Sequence, residues 1–88
     1  MRNVMTGGVP RGLWGRAIDA LIAYKVAGNA WVEAGRPRKC ELYERFCAAE
    51  TPYMQISNEI DRWDWSAEQR AEWEAVHRRL DPLLPGQG

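Results

Sequence analysis

The residues that could support metal chemistry are few. The chain has one histidine, His77, and two cysteines, Cys40 and Cys47, in 88 residues. A zinc site needs histidines, thiolates or carboxylates at recognised spacings. The seven-residue spacing of the two cysteines is not one of these spacings. His77 stands beside Arg78 and Arg79 near a predicted helix end, where cations interact favourably with the helix dipole. The sequence therefore predicts no metal site.

Carboxylates offer another route to catalysis. Glu59, Asp61 and Asp64 lie beside Arg62, a pattern typical of a solvated helix face rather than of an acid–base pair. The N-terminal glycines follow no predicted strand, and the Lys and Ser or Thr of a phosphate-binding loop do not follow them. We therefore expect a non-enzymatic protein that uses no cofactor.

Tryptophan is the unusual residue type of this sequence. Five tryptophans in 88 residues are more than a small bundle readily encloses, since each ring buries roughly 150–250 Å². Trp65 precedes a predicted helix cap, and we expect at least one of Trp65 and Trp73 to remain partly exposed. Because tryptophan is enriched in binding hot spots, this pair predicts a protein-binding corner, unless Trp65 instead closes the end of the core. The acidic residues that surround the pair are Asp61, Asp64, Glu68 and Glu72.

The charges are distributed unevenly, although the net charge is zero. Residues 1–39 hold seven Lys or Arg and two acidic residues, whereas residues 40–75 hold nine acidic residues and three Arg. The two halves could neutralise each other, pair copies head to tail, or present one sign to a partner. The basic cluster Arg36, Arg38 and Lys39 supports an alternative function as a nucleic-acid-associated regulator, for which binding should depend steeply on salt.

The apolar periodicity of the first half predicts a long helix. Apolar residues recur at three- and four-residue steps over residues 13–34, as in an amphipathic helix. Gly28 and Asn29 are weak helix formers, and they could kink or split it. Gly35, followed by Pro37, predicts its end.

The second half predicts shorter helices. One should cover about residues 38–50 and contain both Cys40 and Cys47, too far apart on a helix for a disulfide. Thr51 and Pro52 resemble an N-cap and a first helical position, which predicts a break followed by a third helix. The apolar stripe of that third helix is Tyr53, Ile56, Ile60 and Trp63.

The clearest local signal is a capping box formed by Ser66 and Gln69. In such a box the Ser side chain accepts a hydrogen bond from the amide of the third helical residue. The side chain of that third residue accepts a hydrogen bond from the Ser amide in return. The fourth predicted helix therefore begins at Ser66 and ends at Asp81, because Pro82 forbids its continuation. Its apolar row is Trp73, Val76 and Leu80.

These elements predict an all-α fold, a small three- or four-helix bundle. We expect a flexible arm over residues 1–12, one helical domain over 13–81 and a short disordered tail over 82–88. The most apolar stretch, residues 17–27, is interrupted by charges, so no membrane span is expected.

The predicted function is binding to another protein, or to a second copy of the chain. Arg2 is not followed by an apolar signal core, which indicates a cytoplasmic location. The frequent Ala, Arg and Trp residues are typical of a GC-rich bacterial or bacteriophage genome, and we expect a modulator of a host protein.

Overall fold

Three α-helices make up the fold. A computed structural model describes residues 8–80. Helix α1 spans Arg11–Glu33, α2 spans Glu41–Ile60 and α3 spans Ala67–Leu80. No strand occurs within these residues, so the predicted all-α fold is confirmed. In the same part of the chain, no helix combines the length and apolarity needed to cross a membrane.

Helix α1 is unbroken at Gly28 and Asn29. A Cβ atom at position 28 would lie 3.1 Å from the ring of Phe46, so glycine leaves room for that ring to pack against α1. The Asn29 side chain donates a hydrogen bond to the carbonyl of Leu80, one of the carbonyls that a helix end leaves without a helical partner. These two weak helix formers therefore stand where α2 and α3 pack on α1.

The end of α1 follows the prediction from Gly35. Gly35 has a φ of 93°, and its amide donates to the carbonyl of Val32 at 3.0 Å. Arg36 also has a positive φ, 59°, a conformation that is costly for a residue with a side chain. Its amide donates to the Trp31 carbonyl at 2.9 Å, and the Trp31 indole donates to the Pro37 carbonyl at 2.7 Å. The loop is thus closed onto the last turn of the helix.

Helix α2 shows that the predicted break at Thr51 and Pro52 was wrong. The helix continues from Glu41 to Ile60 with Pro52 inside it, although an interior proline costs about 3 kcal/mol relative to alanine. Apolar residues keep one heptad phase on both sides of the proline, and their packing on α1 offsets that cost. The stripe is Leu42, Phe46, Ala49, Tyr53, Ile56 and Ile60.

One of the two cysteines, Cys40, occupies a different position from the one expected. Both are free, as predicted, but Cys40 lies before α2 as its N-cap, and only Cys47 is inside the helix. The Cys40 sulfur accepts the amide of Tyr43 at 3.4 Å. It therefore satisfies one of the unpaired amides of the helix N-terminus.

The capping box at the start of α3 is present. The Gln69 amide donates to Ser66 Oγ at 3.1 Å, and the Ser66 amide donates to Gln69 Oε1 at 3.1 Å. Val76 is buried, as the apolar row of this helix predicted. Position 81 and the predicted tail 82–88 lie outside the described residues.

Residues 8–12 correct the predicted boundary of the N-terminal arm. Val9 is only 4% exposed, and α1 already begins at Arg11. The amide of Val9 donates to Gln69 Oε1 and its carbonyl accepts Gln69 Nε2, both at 2.9 Å. Gly8 has a φ of 90°, and a Cβ there would lie 2.8 Å from Gln69 Oε1. This segment belongs to the folded domain, and residues 1–7 lie outside the described residues.

Burial divides the molecule into two ends. We call the part where α3 packs on α1 the three-helix end, and the part formed by residues 24–50 the hairpin end. No residue from 22 to 59 is buried, and Ile22, which lies within the predicted apolar helix of residues 13–34, is 36% exposed. The buried apolar residues are Val9, Leu13, Trp14, Ala17, Leu21, Ile60 and Val76.

Candidate functional site

Three tryptophan rings form a cluster at the three-helix end. The Trp14 and Trp65 ring centroids are 5.1 Å apart with planes at 74°, and those of Trp65 and Trp73 are 5.2 Å apart at 63°. Trp14 and Trp73 are 5.6 Å apart. Edge-to-face pairs of this kind contribute about 0.5–1.5 kcal/mol beyond the area they bury. The cluster joins α1, α3 and the turn that connects α2 to α3.

Trp65 packs on the end of the core and keeps part of its ring exposed. Its indole donates to the carbonyl of Ile60 at 2.8 Å, which satisfies a carbonyl in the last turn of α2. Its ring is half-buried and packs against the buried core. Trp73 is half-buried in the same way and also approaches the His77 ring at 5.8 Å. Both tryptophans therefore keep an exposed part while the rest of each ring supports the fold.

The four predicted acidic residues are near Trp65 and Trp73 in the chain, and Glu72 bonds to Trp14 of the cluster. We call the set Asp61, Asp64, Trp65, Glu68, Glu72 and Trp73 the acidic corner. All four of its carboxylate residues are exposed, and Glu68 is in the first turn of α3, where the helix dipole favours a negative charge.

Two of these carboxylates have partners at the corner. Glu72 Oε1 accepts the indole N–H of Trp14 at 2.8 Å. Asp64 lies 3.8 Å from Arg70, with both side chains mostly exposed, so this ion pair contributes little to stability. The corner consequently keeps a negative surface over a packed aromatic cluster.

Sequence reasoning missed two residues that hold the acidic corner in place. Trp14 was assigned only to the apolar stripe of α1, and nothing in that stripe indicated that its indole would bond to Glu72. Gln69 was recognised as part of the capping box, but its two bonds to Val9 connect positions 60 residues apart. The sequence signal for that contact was Gly8, because the chain just before Val9 adopts a positive φ that glycine accommodates.

The hairpin end is held together by stacked rings. Phe46 of α2 stacks between Trp31 and Tyr24 of α1, with centroids 5.1 and 5.3 Å away. Tyr24 stacks in turn on Tyr53 of α2, at 4.4 Å and 4° between planes. We call these four side chains the aromatic ladder. Tyr53 also approaches Trp73 at 6.4 Å, which connects the ladder to the tryptophan cluster.

The tyrosines of the ladder are neutral under ordinary conditions. Burial raises the pKa of Tyr24 above its usual value of 10.0, and Glu50 and Tyr53 nearby raise it further. Burial also raises the pKa of Tyr53, with a smaller contribution from Asp61. The stack is therefore an uncharged apolar surface at neutral pH.

The predicted nucleic-acid-binding residues lie at the other end of α1 from the acidic corner. Arg36, Arg38 and Lys39 are all exposed in the loop between α1 and α2. Helix α1 has 23 residues and is about 34 Å long at 1.5 Å per residue. The basic and acidic residues singled out from the sequence thus form two separate surfaces.

The described residues contain no group of His, Cys, Asp or Glu side chains that could hold a metal ion. No protein-family model matches the chain, and neither a curated protein nor a solved structure is similar to it. Any functional conclusion therefore has to come from the surfaces of the molecule.

Proposed function

We propose that the protein acts without catalysis, by binding another protein through the acidic corner. The observation that carries this proposal is the combination of four exposed carboxylates with two half-buried tryptophan rings. Trp65 is fixed by its hydrogen bond to the Ile60 carbonyl, and Trp73 is held by ring contacts with Trp65 and Trp14. A surface held in one conformation loses little freedom on binding, which favours affinity. Aromatic anchors surrounded by polar residues are also the usual composition of binding hot spots.

The negative charge of the acidic corner favours a partner surface of positive charge. Exposed carboxylates accelerate and orient association with a positively charged surface, and they disfavour acidic ones. The partner we propose is therefore a protein with a basic patch. A host protein bound by a bacteriophage product, as the composition suggests, and a second copy of this chain are both partners of this kind.

A charge-reversal variant tests the role of the corner. Asp61→Lys with Asp64→Lys changes the charge by four units at exposed positions, so the free energy of unfolding should change by less than about 1 kcal/mol. The matched control, Glu33→Lys with Glu44→Lys, makes the same change at exposed positions of the hairpin end. Each protein is used to capture partners from a bacterial lysate, and the affinity of the captured partner is measured by calorimetry.

The two variants separate local from general electrostatic effects. We expect the corner variant to weaken binding at least tenfold and the control variant to bind within about threefold of the wild type, a difference of roughly 0.7 kcal/mol or more. Equal weakening by both variants would contradict a site at the corner, because it would reflect the total charge alone.

The basic loop supports a second candidate function, association with nucleic acid. Arg36, Arg38 and Lys39 are exposed side by side and could neutralise phosphates. Against this, Glu33, at the end of α1, and the first turn of α2 add exposed carboxylates. Binding to a DNA oligonucleotide that weakens steeply with salt, and that is lost when the three cations are replaced, would favour this function over the first.

A further inference from the structure

The hairpin end contains a groove between α1 and α2. Its volume is about 210 Å³, below the roughly 300–1,000 Å³ of pockets that hold cofactors and drug-sized molecules. Gly28 contributes no side chain to it, so the ring of Phe46 approaches the α1 backbone. The residues that line the groove with rings or aliphatic carbons are Tyr24, Trp31, Val32 and Phe46. The groove therefore suits one or two apolar side chains.

Helix α3 runs parallel to α1 and ends at the edge of this groove. Contacts between the two segments advance in the same direction along both. In order, they join Gln69 to Val9, Glu72 to Trp14 and Leu80 to Asn29. Asn29, which contacts the end of α3, also lines the groove. The chain therefore leaves α3 beside the groove, and the α3 axis points towards the C-terminal end of α1.

Two consecutive leucines follow α3 within reach of the groove. Leu83 and Leu84 stand three and four residues beyond Leu80, a distance of up to about 10–14 Å in an extended chain. On α1 the groove extends from Tyr24 to Val32, about 12 Å at 1.5 Å per residue. Both leucine side chains can reach this surface without any movement of the helices.

A proline stands on each side of the leucine pair. Pro82 disfavours a helical conformation at Asp81, so we expect the chain to depart from the α3 axis there. Pro85 disfavours a helical conformation at Leu84 in the same way. A segment that is restricted before it docks loses less conformational freedom on docking.

We propose that Leu83 and Leu84 dock in this groove and complete the packing of the hairpin end. The leucines supply the apolar side chains that the groove suits, and their distance from Leu80 matches its position. The proposal gives these two residues a packed position in place of the disorder expected for 82–88 from the sequence. It is independent of the proposed function, because the acidic corner lies at the opposite end of α1.

The attachment of this segment to α3 favours it over other occupants. A segment joined to its site by a few residues has an effective concentration of the order of millimolar. A second copy of the chain, or a separate partner, has to compete with that concentration from solution. Docking within one chain is therefore expected in dilute protein.

The first test records nuclear Overhauser contacts in the dilute full chain with labelled leucine methyl groups. We expect contacts from the methyl groups of Leu83 and Leu84 to ring protons of Trp31 and Phe46. A mixture of labelled and unlabelled chains, recorded with an isotope filter, detects contacts between two molecules. The leucine contacts should be missing from the filtered spectrum, because one chain supplies both sides of the contact.

The second test removes the leucine side chains. In Leu83→Ala with Leu84→Ala, the Trp31 indole proton and the Phe46 ring protons should shift, and the indole proton should exchange with water at least about tenfold faster. The Trp65 indole, at the three-helix end, should keep its shift and so shows that the variant is folded. The control variant replaces Val26 and Met54 with alanine. These residues of the hairpin end are 54% and 53% exposed and do not line the groove, so the groove signals should keep their positions.

The third test restores the segment as a separate blocked peptide with the sequence of residues 81–87. Added to the double leucine variant at up to several millimolar, the peptide should return the Trp31 indole signal saturably towards its wild-type position. The same peptide with alanine at both leucine positions should have no effect. In the wild-type chain, a response to the leucine peptide should need at least about tenfold more peptide, because the attached segment competes for the groove.

Four results would overturn the proposal. The leucine methyl groups could show no contact with Trp31 or Phe46. The contacts could appear in the filtered spectrum, which would assign the groove to a second copy. The leucine variant could leave the groove signals unchanged, or change them no more than the control variant does. The peptide could fail to restore the Trp31 signal, or act equally on the variant and the wild type. None of these results bears on the acidic corner.

Discussion

The three-helix end and the hairpin end use the same kind of seam but bury it to different degrees. In both, α1 and α2 face each other with apolar residues at three- and four-residue spacing, as in a coiled coil. At the three-helix end, α3 also packs on α1, and Leu21 and Ile60 are fully buried. At the hairpin end, only the last turn of α3 reaches α1, through the Leu80 carbonyl, and every residue of the aromatic ladder is partly exposed.

This difference affects how the rings of the hairpin end pack. Two helices cannot enclose a small aliphatic side chain, since part of each residue remains in contact with water. Larger rings bury more area per residue and stack across the seam, as Tyr24 and Tyr53 do at 4.4 Å. The comparison indicates that stability resides mainly at one end, whereas the other end leaves apolar residues such as Val26 and Tyr43 exposed.

The largest expected effect comes from a matched pair of tryptophan substitutions. Trp65 and Trp31 both donate from the indole to a backbone carbonyl, at 2.8 and 2.7 Å, but only Trp65 packs against the buried core. Trp65→Ala should therefore cost about 3–5 kcal/mol of unfolding free energy. Trp31→Ala should cost less, about 1–2 kcal/mol, because fewer buried atoms lose contacts. Urea denaturation of both variants measures the difference, and equal losses would remove the distinction between the two ends.

Pro52→Ala should have the next largest effect, in the stabilising direction. Pro52 is exposed and lies inside α2, where alanine restores an amide donor and removes a steric clash. We expect a gain of about 1–3 kcal/mol in the free energy of unfolding, measured by thermal or urea denaturation. An unchanged stability would indicate that the helix is broken at this point in solution, as the sequence alone suggested.

Pro52 also shows what the sequence could and could not reveal. The cap signal of Thr51 and Pro52 was local, while the apolar phase that continues from Phe46 to Ile60 was spread over four turns. Where local chemistry and apolar phase agreed, as at Gly35 and at the Ser66 capping box, the element boundaries were predicted correctly. Where they disagreed, packing on α1 decided the outcome.

The candidate surfaces were predictable to different extents. The acidic corner could be anticipated because its residues are close in sequence and are positioned by one capping box. The aromatic ladder could not, because its rings come from α1 and α2 and meet only when the two helices pack together. The contact of Val9 with Gln69 could not be predicted either, because it joins distant parts of the chain.

A smaller effect should appear at alkaline pH, where the two tyrosines of the aromatic ladder contribute to it. The folded-state pKa values of Tyr24 and Tyr53 are raised above 10.0, mainly by burial. The folded protein therefore keeps both phenol protons at pH values where the unfolded chain loses them. Their contribution to stability is complete below pH 10 and is lost as pH rises through the folded-state pKa values. Urea midpoints of Tyr24→Phe with Tyr53→Phe should fall less steeply above pH 10 than those of the wild type, and parallel curves would contradict this assignment.

Native-state hydrogen exchange tests the division into two ends most directly. Amides near Leu21 and Ile60 should exchange only through global unfolding, so their exchange free energies should equal the free energy of unfolding and decrease with urea at the same slope. Amides near Val32 and Phe46 should exchange through a local opening of lower free energy, with little dependence on urea. Uniform protection along α1 and α2, with a single urea slope, would contradict the account.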